Sequence, residues 1–203
     1  MRLVKFAVVA GAATALVVGC TTAGEKGNPT TAAPTTPTAG SSSAGTTTTP
    51  ASDRPEALTL DGVDPCALIP ADKQKQLGTE KTDNRPSEVI KGTKSPACSQ
   101  RTGPGVLPAF SYNIALVTNE GVGYWTDSGN LDTSPKKVGD YPAVQVTFSG
   151  TSSVECTVAV DVADGQQLVA QFLPTSRDFT QDQMCQNAAK GAEVALTTLQ
   201  TLK

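Results

Sequence analysis

From Phe6 to Val18 every residue is hydrophobic, small or threonine, and the only charges ahead of it are Arg2 and Lys5. A basic start followed by about a dozen apolar residues has the form of an export leader, and it falls short of the ~20 that span a bilayer as a helix. From Thr21 to about Pro55 the apolar pattern vanishes and Thr, Ser, Ala, Gly and Pro dominate. Such a stretch buries too little apolar surface to offset the entropy of ordering it. Residues 20–55 therefore read as a disordered tether, stiffened at Pro29, Pro34, Pro37, Pro50 and Pro55, with an r.m.s. span of roughly 30–35 Å.

Periodic patterning returns in residues 56–203, a length that suits one domain. Asp64-Pro65-Cys66-Ala67-Leu68-Ile69 opens as a helix, with Asp64 as N-cap and Pro65 at the first position; Pro70 restarts it and Gly78 stops it. Thr79 to Ala97 is polar and broken by Pro86, Gly92 and Pro96, which predicts a loop entering a short strand near Cys98. In Pro108 to Thr118, Phe110, Tyr112, Ile114 and Leu116 share one face of a strand. A second loop, Gly121 to Asn130, holds Tyr124 and Trp125, and Tyr141 to Phe148 alternates again through Val144, Val146 and Phe148.

Val154 to Leu173 reads as a hairpin around Asp164-Gly165, and its apolar residues choose the register. A two-residue loop would place Phe172 on the face opposite Val158 and Val160. A three-residue loop, Ala163-Asp164-Gly165 with the glycine left-handed, pairs Val160 with Leu168, Val158 with Ala170 and Cys156 with Phe172. The last element is the longest. Thr180-Gln181-Asp182-Gln183 forms a capping box, and Cys185, Ala188, Ala192, Ala195, Leu196, Leu199 and Leu202 follow mostly at helical spacing. The fold class is therefore α+β: an antiparallel sheet of four or five strands, one face covered by the C-terminal helix and a short N-terminal helix.

The cysteines add location and staples. Leu16-Val17-Val18-Gly19-Cys20 resembles a bacterial lipobox. The resemblance implies cleavage before Cys20, a lipid thioether on its sulfur, and acyl chains that anchor the chain to the outer face of the cell membrane. Cys66, Cys98, Cys156 and Cys185 then remain, an even number that implies two disulfides with three connectivities open. Small residues near Cys185 favour close approach to the inward-facing Cys156, and Cys66 on the first helix to Cys98 on the first strand, so sequential pairing is expected.

Composition mainly excludes. Removing the leader takes Arg2 and Lys5 with it and moves the formal charge from −3 to −5, which argues against nucleic acid as partner. The basic residues between Lys73 and Arg101 read as a solvated face. The chain has no histidine, which removes Ser-His-Asp, Cys-His and His-metal arrangements, and it has no phosphate-binding glycine loop. No cofactor and no metal are called for. Asp127 and Asp132 lie close in sequence and form the one carboxylate pair a hydrolase would use. Tyr124 and Trp125, in a Gly-flanked loop, are the candidate partner contact; the competing reading is that Trp125 plugs one end of the core.

The leader, the tether, Asp64-Pro65-Cys66-Ala67-Leu68-Ile69-Pro70, Leu77-Gly78, Cys98, Val138-Gly139-Asp140-Tyr141-Pro142-Ala143, Cys156-Thr157-Val158 and the helix around Cys185 together resemble an actinobacterial lipoprotein family, the domain of unknown function family 3558. The resemblance runs from about Val63 to Leu202. It implies an exported lipoprotein with an α+β domain and carries over no catalytic residue. One departure is Gln100, where an aromatic often stands. The expected function is a non-enzymatic binding or accessory module for an envelope protein, glycan or lipid. The alternative is a carrier of an apolar molecule held between sheet and helix, where the alanine stripe would leave room.

Overall fold

A computed structural model describes residues 53–150 and 154–202. The leader (1–19), Cys20 and the tether up to residue 52 lie outside the described residues. In chain order the elements are a 3-10 turn (Pro65–Leu68), α1 (Ala71–Leu77), β1 (Lys81–Asn84), β2 (Ser87–Ile90), β3 (Thr93–Ser95), β4 (Ala97–Arg101), β5 (Phe110–Val117), α2 (Gly123–Thr126), β6 (Leu131–Val138), β7 (Tyr141–Phe148), β8 (Cys156–Ala163), β9 (Gln166–Pro174) and α3 (Gln181–Thr201). Seven strands form one antiparallel sheet in the order β1-β4-β5-β9-β8-β7-β6, and β2 and β3 make a separate hairpin.

The α+β class, the C-terminal helix and the two disulfides agree with the sequence reading; the size of the sheet does not. The main sheet has seven strands where four or five were expected. The two additions, β1 and β6, are its edges, and edge strands tolerate the polar residues and proline that an interior strand excludes. Lys81-Thr82-Asp83-Asn84 has no apolar residue, and β6 carries Pro135, Lys136 and Lys137. The β2–β3 hairpin falls in the stretch read as loop. Its only fully buried apolar residue is Ile90, too little to show a period.

The first face of the sheet holds the main core. Asp64 caps the 3-10 turn by accepting from the Cys66 N–H, and Gly78 ends α1 at φ 72°. The opening helical turn is thus 3-10 and not α, while the restart after Pro70 and the stop at Gly78 are as expected. The capping box of α3 forms in both directions between Thr180 and Gln183. Met184, Cys185, Ala188, Ala192, Ala195, Leu196 and Leu199 are buried against Tyr112, Ile114, Val158, Val160, Ala170 and Phe172, whereas Leu202 lies beyond the helix and is exposed. A Cβ on Gly191 would stand 2.8 Å from Cδ1 of Tyr112, so α3 sits flush on β5. Ala188, Ala192 and Ala195 are buried in the same cluster as Tyr112, Tyr141 and Phe172.

The β8–β9 register matches the one the apolar residues select: Cys156 opposite Phe172, Val158 opposite Ala170, Val160 opposite Leu168. The ladder closes through a bulge between Asp161 and Ala163, with Gly165 left-handed at φ 67°. Both sequential disulfides are formed, Cys66–Cys98 and Cys156–Cys185. Gln100 is completely buried; its amide donates to the Cys98 sulfur at 3.3 Å and its oxygen accepts from the Thr82 hydroxyl at 3.0 Å. The polar side chain at this buried position is thereby satisfied.

The second face is also covered, in part. The β2–β3 hairpin and the segment carrying α2 lie over it, and Ile90 and Trp125 pack on Ala97, Ala115, Val117, Val146, Ala159 and Val169. Val144, Val146 and Phe148, grouped correctly on one face of β7, point to this side, while Tyr141 and Ala143 point to α3.

Candidate binding cleft

Trp125 is placed by a buried amide. Gln167 on β9 accepts from the indole Nε1 at 2.6 Å and donates to the carbonyl oxygens of Glu120 and Gly121, each at 3.0 Å. Those bonds satisfy a side chain with no solvent exposure and hold the loop down, leaving Trp125 only 5% exposed. The expectation of an aromatic loop tip is corrected for Trp125: as the competing reading had it, the ring plugs an apolar cluster, because Gln167 supplies the partner its N–H requires. Tyr124 is half-buried beside it, edge to face at 5.2 Å between ring centres. Its hydroxyl accepts from the Lys91 N–H at 3.1 Å, which clips the hairpin tip to α2.

Between these two coverings lies a cleft of about 480 Å³. Glu88, Val89 and Lys91 line it from the hairpin, Tyr124, Trp125 and Ser128 from the α2 segment, Val146, Phe148, Thr157 and Gln171 from the sheet, and Glu155 from just ahead of β8. Tyr124 and Trp125 thus meet at one site, as walls of a cleft. On the floor, the Gln171 amide donates to Thr157 Oγ1 at 3.3 Å and to Glu155 Oε1 at 3.5 Å. Burial raises the Glu155 carboxyl above its ordinary pKa, since removing water penalises the charged form.

The carboxylates singled out by spacing are elsewhere. Asp127 ends α2 in an exposed position, and Asp132 is exposed on β6, accepting from the Ser149 hydroxyl at 2.7 Å. Neither belongs to the cleft lining, where the acids are Glu88 and Glu155. The Cys66, Cys98, Cys156 and Cys185 sulfurs are all in disulfides, and among the described residues no group of three or more acids or cysteines is placed to hold a metal ion. Also among the described residues, no helix is long and apolar enough to cross a membrane.

Sequence reasoning missed Glu88, Lys91, Glu155, Thr157 and Gln171. For Thr157 and Gln171 a signal exists: the register that pairs Cys156 with Phe172 puts them opposite one another on the other face. For the hairpin residues there is none, because β2 and β3 have no apolar period.

A two-disulfide α+β domain with a cleft of mixed polar and apolar lining on the sheet face away from its long helix is the class of protein these features define. The family model described as "Protein of unknown function (DUF3558)" matches residues 15–198, and the chain belongs to that family. No curated protein and no solved structure matches it.

Proposed function

We propose that the chain is a lipoprotein of the outer face of the cell membrane, held by acyl chains on Cys20, whose folded domain is a non-enzymatic binding or accessory module of the envelope. The observation that carries the binding part is the cleft of about 480 Å³, a size within the range of ligand sites, walled by Tyr124 and Phe148 over a polar floor. The anchoring part rests on the leader, on Gly19-Cys20 and on the tether. Two disulfides in a domain of this size agree with an oxidising compartment. The lack of histidine and the commitment of the four domain cysteines to bridges favour binding over catalysis.

Two measurements test the two parts. Intact-mass analysis of the native product is expected to show cleavage before Cys20 and added lipid, with Cys20→Ser uncut and without lipid. A wild-type product that keeps residues 1–19 would sink the anchor. A photo-crosslinking amino acid at Lys91, on the cleft, is expected to capture an envelope component that the same group at Lys137, on the exposed edge strand, does not. Equal labelling from both positions would remove the cleft from the argument.

A further inference from the structure

The second face of the sheet carries one row of polar side chains in cross-strand register. Asp83 pairs with Ser99, Ser99 with Asn113, Asn113 with Gln171, and Gln171 with Thr157, across β1, β4, β5, β9 and β8. The row on one side of it is Ala97, Ala115, Val169 and Ala159, and the row on the other, Lys81, Arg101, Ser111 and Leu173, is polar toward the β1 edge, so the polar surface ends sharply on one side only. The side chains are also linked: Asn113 Nδ2 donates to Ser87 Oγ at 2.9 Å and to Gln171 Oε1 at 2.8 Å, and Gln171 passes the chain on to Thr157. Ser87 belongs to β2, so the hairpin rests on the row at Asn113 and space opens on both sides of it. One side is the cleft already described. The other is an opening of about 440 Å³ that reaches Ser99, Ser111 and Asn113, and Gln171 lines both.

Resting on the binding-module reading, we infer that this row is the recognition floor for a neutral oligosaccharide laid across the strands. Strands stand ~4.8 Å apart, about the length of one sugar ring, so on either side of the hairpin a glycan crossing them meets one hydrogen-bonding side chain per sugar. Asn113 has both amide hydrogens engaged and offers its carbonyl oxygen; Thr157 accepts from Gln171 and offers its hydroxyl hydrogen. Ser99 serves in either sense, as does every sugar hydroxyl, while Ser111, whose hydroxyl donates to the Leu173 carbonyl at 3.5 Å, accepts. Tyr124 and Phe148 supply the flat apolar surface on which a sugar ring lies.

Other ligand classes fit the floor less well. An acyl chain would strip these polar groups of water and give nothing back. A polyanion meets Glu88 and Glu155 against Lys91 in the larger opening and Arg85 in the other, so the two linings together carry no excess of positive charge. A peptide added as an extra strand requires a free backbone edge, whereas Asn113, Gln171 and Thr157 lie on interior strands.

The test uses the full chain and its single tryptophan, Trp125, which lines the larger opening and reports binding through its emission. The probes are neutral tetrasaccharides of glucose, mannose, arabinose and N-acetylglucosamine, with the matching monosaccharides. At least one tetrasaccharide is expected to give a saturable change that added salt does not weaken, with affinity at least tenfold above its monosaccharide. Gln171→Ala is expected to lower that affinity at least tenfold and Lys137→Ala to leave it unchanged; if Gln171→Ala does not fold, the half-buried Asn113→Ser replaces it. No response to any of the four, equal affinity for the monosaccharide, or full affinity in the folded floor variant overturns the inference. Capture of a protein by the Lys91 crosslinker without a saccharide response overturns it too, while leaving the binding module in place.

Discussion

Trp125 and Glu155 meet the same cleft with opposite consequences for stability. Trp125 fills an apolar cluster and satisfies Gln167, so Trp125→Ala removes both the packing and the donor. Large aromatic truncations in cores cost about 3–5 kcal/mol, and for a domain of this size that lowers Tm by on the order of 10 °C. Thermal unfolding followed by circular dichroism checks it; a Tm within a degree or two of wild type would return Trp125 to the role of a loop tip. Glu155 is penalised where Trp125 is rewarded. Its folded pKa is raised by burial, so above the ordinary carboxylate range the folded state holds a charge it solvates poorly, and stability falls as pH rises through that window. Glu155→Gln is therefore expected to have the higher Tm at pH 7, with the gap closing as both proteins are taken to about pH 3, where a free glutamate is also mostly neutral. Glu88 and Lys91 face the same space in both proteins, so the difference between the two curves isolates Glu155. A gap that does not change with pH would mean that the carboxyl is well hydrated.

At the scale of elements, α3 and β5 are held closer than ordinary side chains allow, and Gly191 is the reason. A Cβ there would stand 2.8 Å from Cδ1 and 3.0 Å from Cε1 of Tyr112, a ring packed edge to face against both Phe110 and Phe172. In a helix interior alanine is favoured over glycine by about 1 kcal/mol, while overpacking a tight core costs about 1–3 kcal/mol. Gly191→Ala is expected to be destabilising on balance, with a lower urea midpoint and an unchanged m-value; a higher midpoint would show that the Tyr112 ring has room to yield. This element was legible because its parts repeat: a capping box, then small and apolar residues at three and four. The β8–β9 hairpin was legible because only one register puts Val158, Val160 and Phe172 on one side. The edges were not, since β1 and β6 are selected for polarity and a proline, which reads as loop. The cleft was half legible. Tyr124 and Trp125 announced themselves by type, but Glu88 and Lys91 reach the site on a hairpin whose placement depends on Ile90 and on the Lys91–Tyr124 bond, contacts no local pattern encodes.

For the whole molecule the telling feature is where residues 54–60 join the fold. Arg54, counted with the tether by composition, donates from Nη1 to Asp161 at 2.6 Å and from Nη2 to Asp164, and its side chain is 11% exposed. Just beyond it the Leu58 N–H bonds to the Val162 carbonyl at 2.7 Å and the Leu60 N–H to Gln166 Oε1 at 2.8 Å, while both leucine side chains join the main core. The chain is thus fastened along the β8–β9 turn in two ways, by charge at Arg54 and by apolar burial at Leu58 and Leu60. The two have different reach. A hydrogen-bonded charge pair that is mostly buried contributes on the order of 1–3 kcal/mol, and breaking it frees only the first residues of the segment. Losing a buried leucine opens the core itself. Arg54→Ala is therefore expected to act locally: amide hydrogen exchange at Leu58 accelerates by about tenfold or more, while core amides such as Val169 follow only the smaller change in global stability. If Leu58 exchange is unchanged, the leucines alone fasten the segment and the pair contributes nothing. If Leu58 and Val169 accelerate together, the entry is part of one cooperative unit, and a pull on the chain ahead of Arg54 would be carried into the sheet that forms the cleft floor.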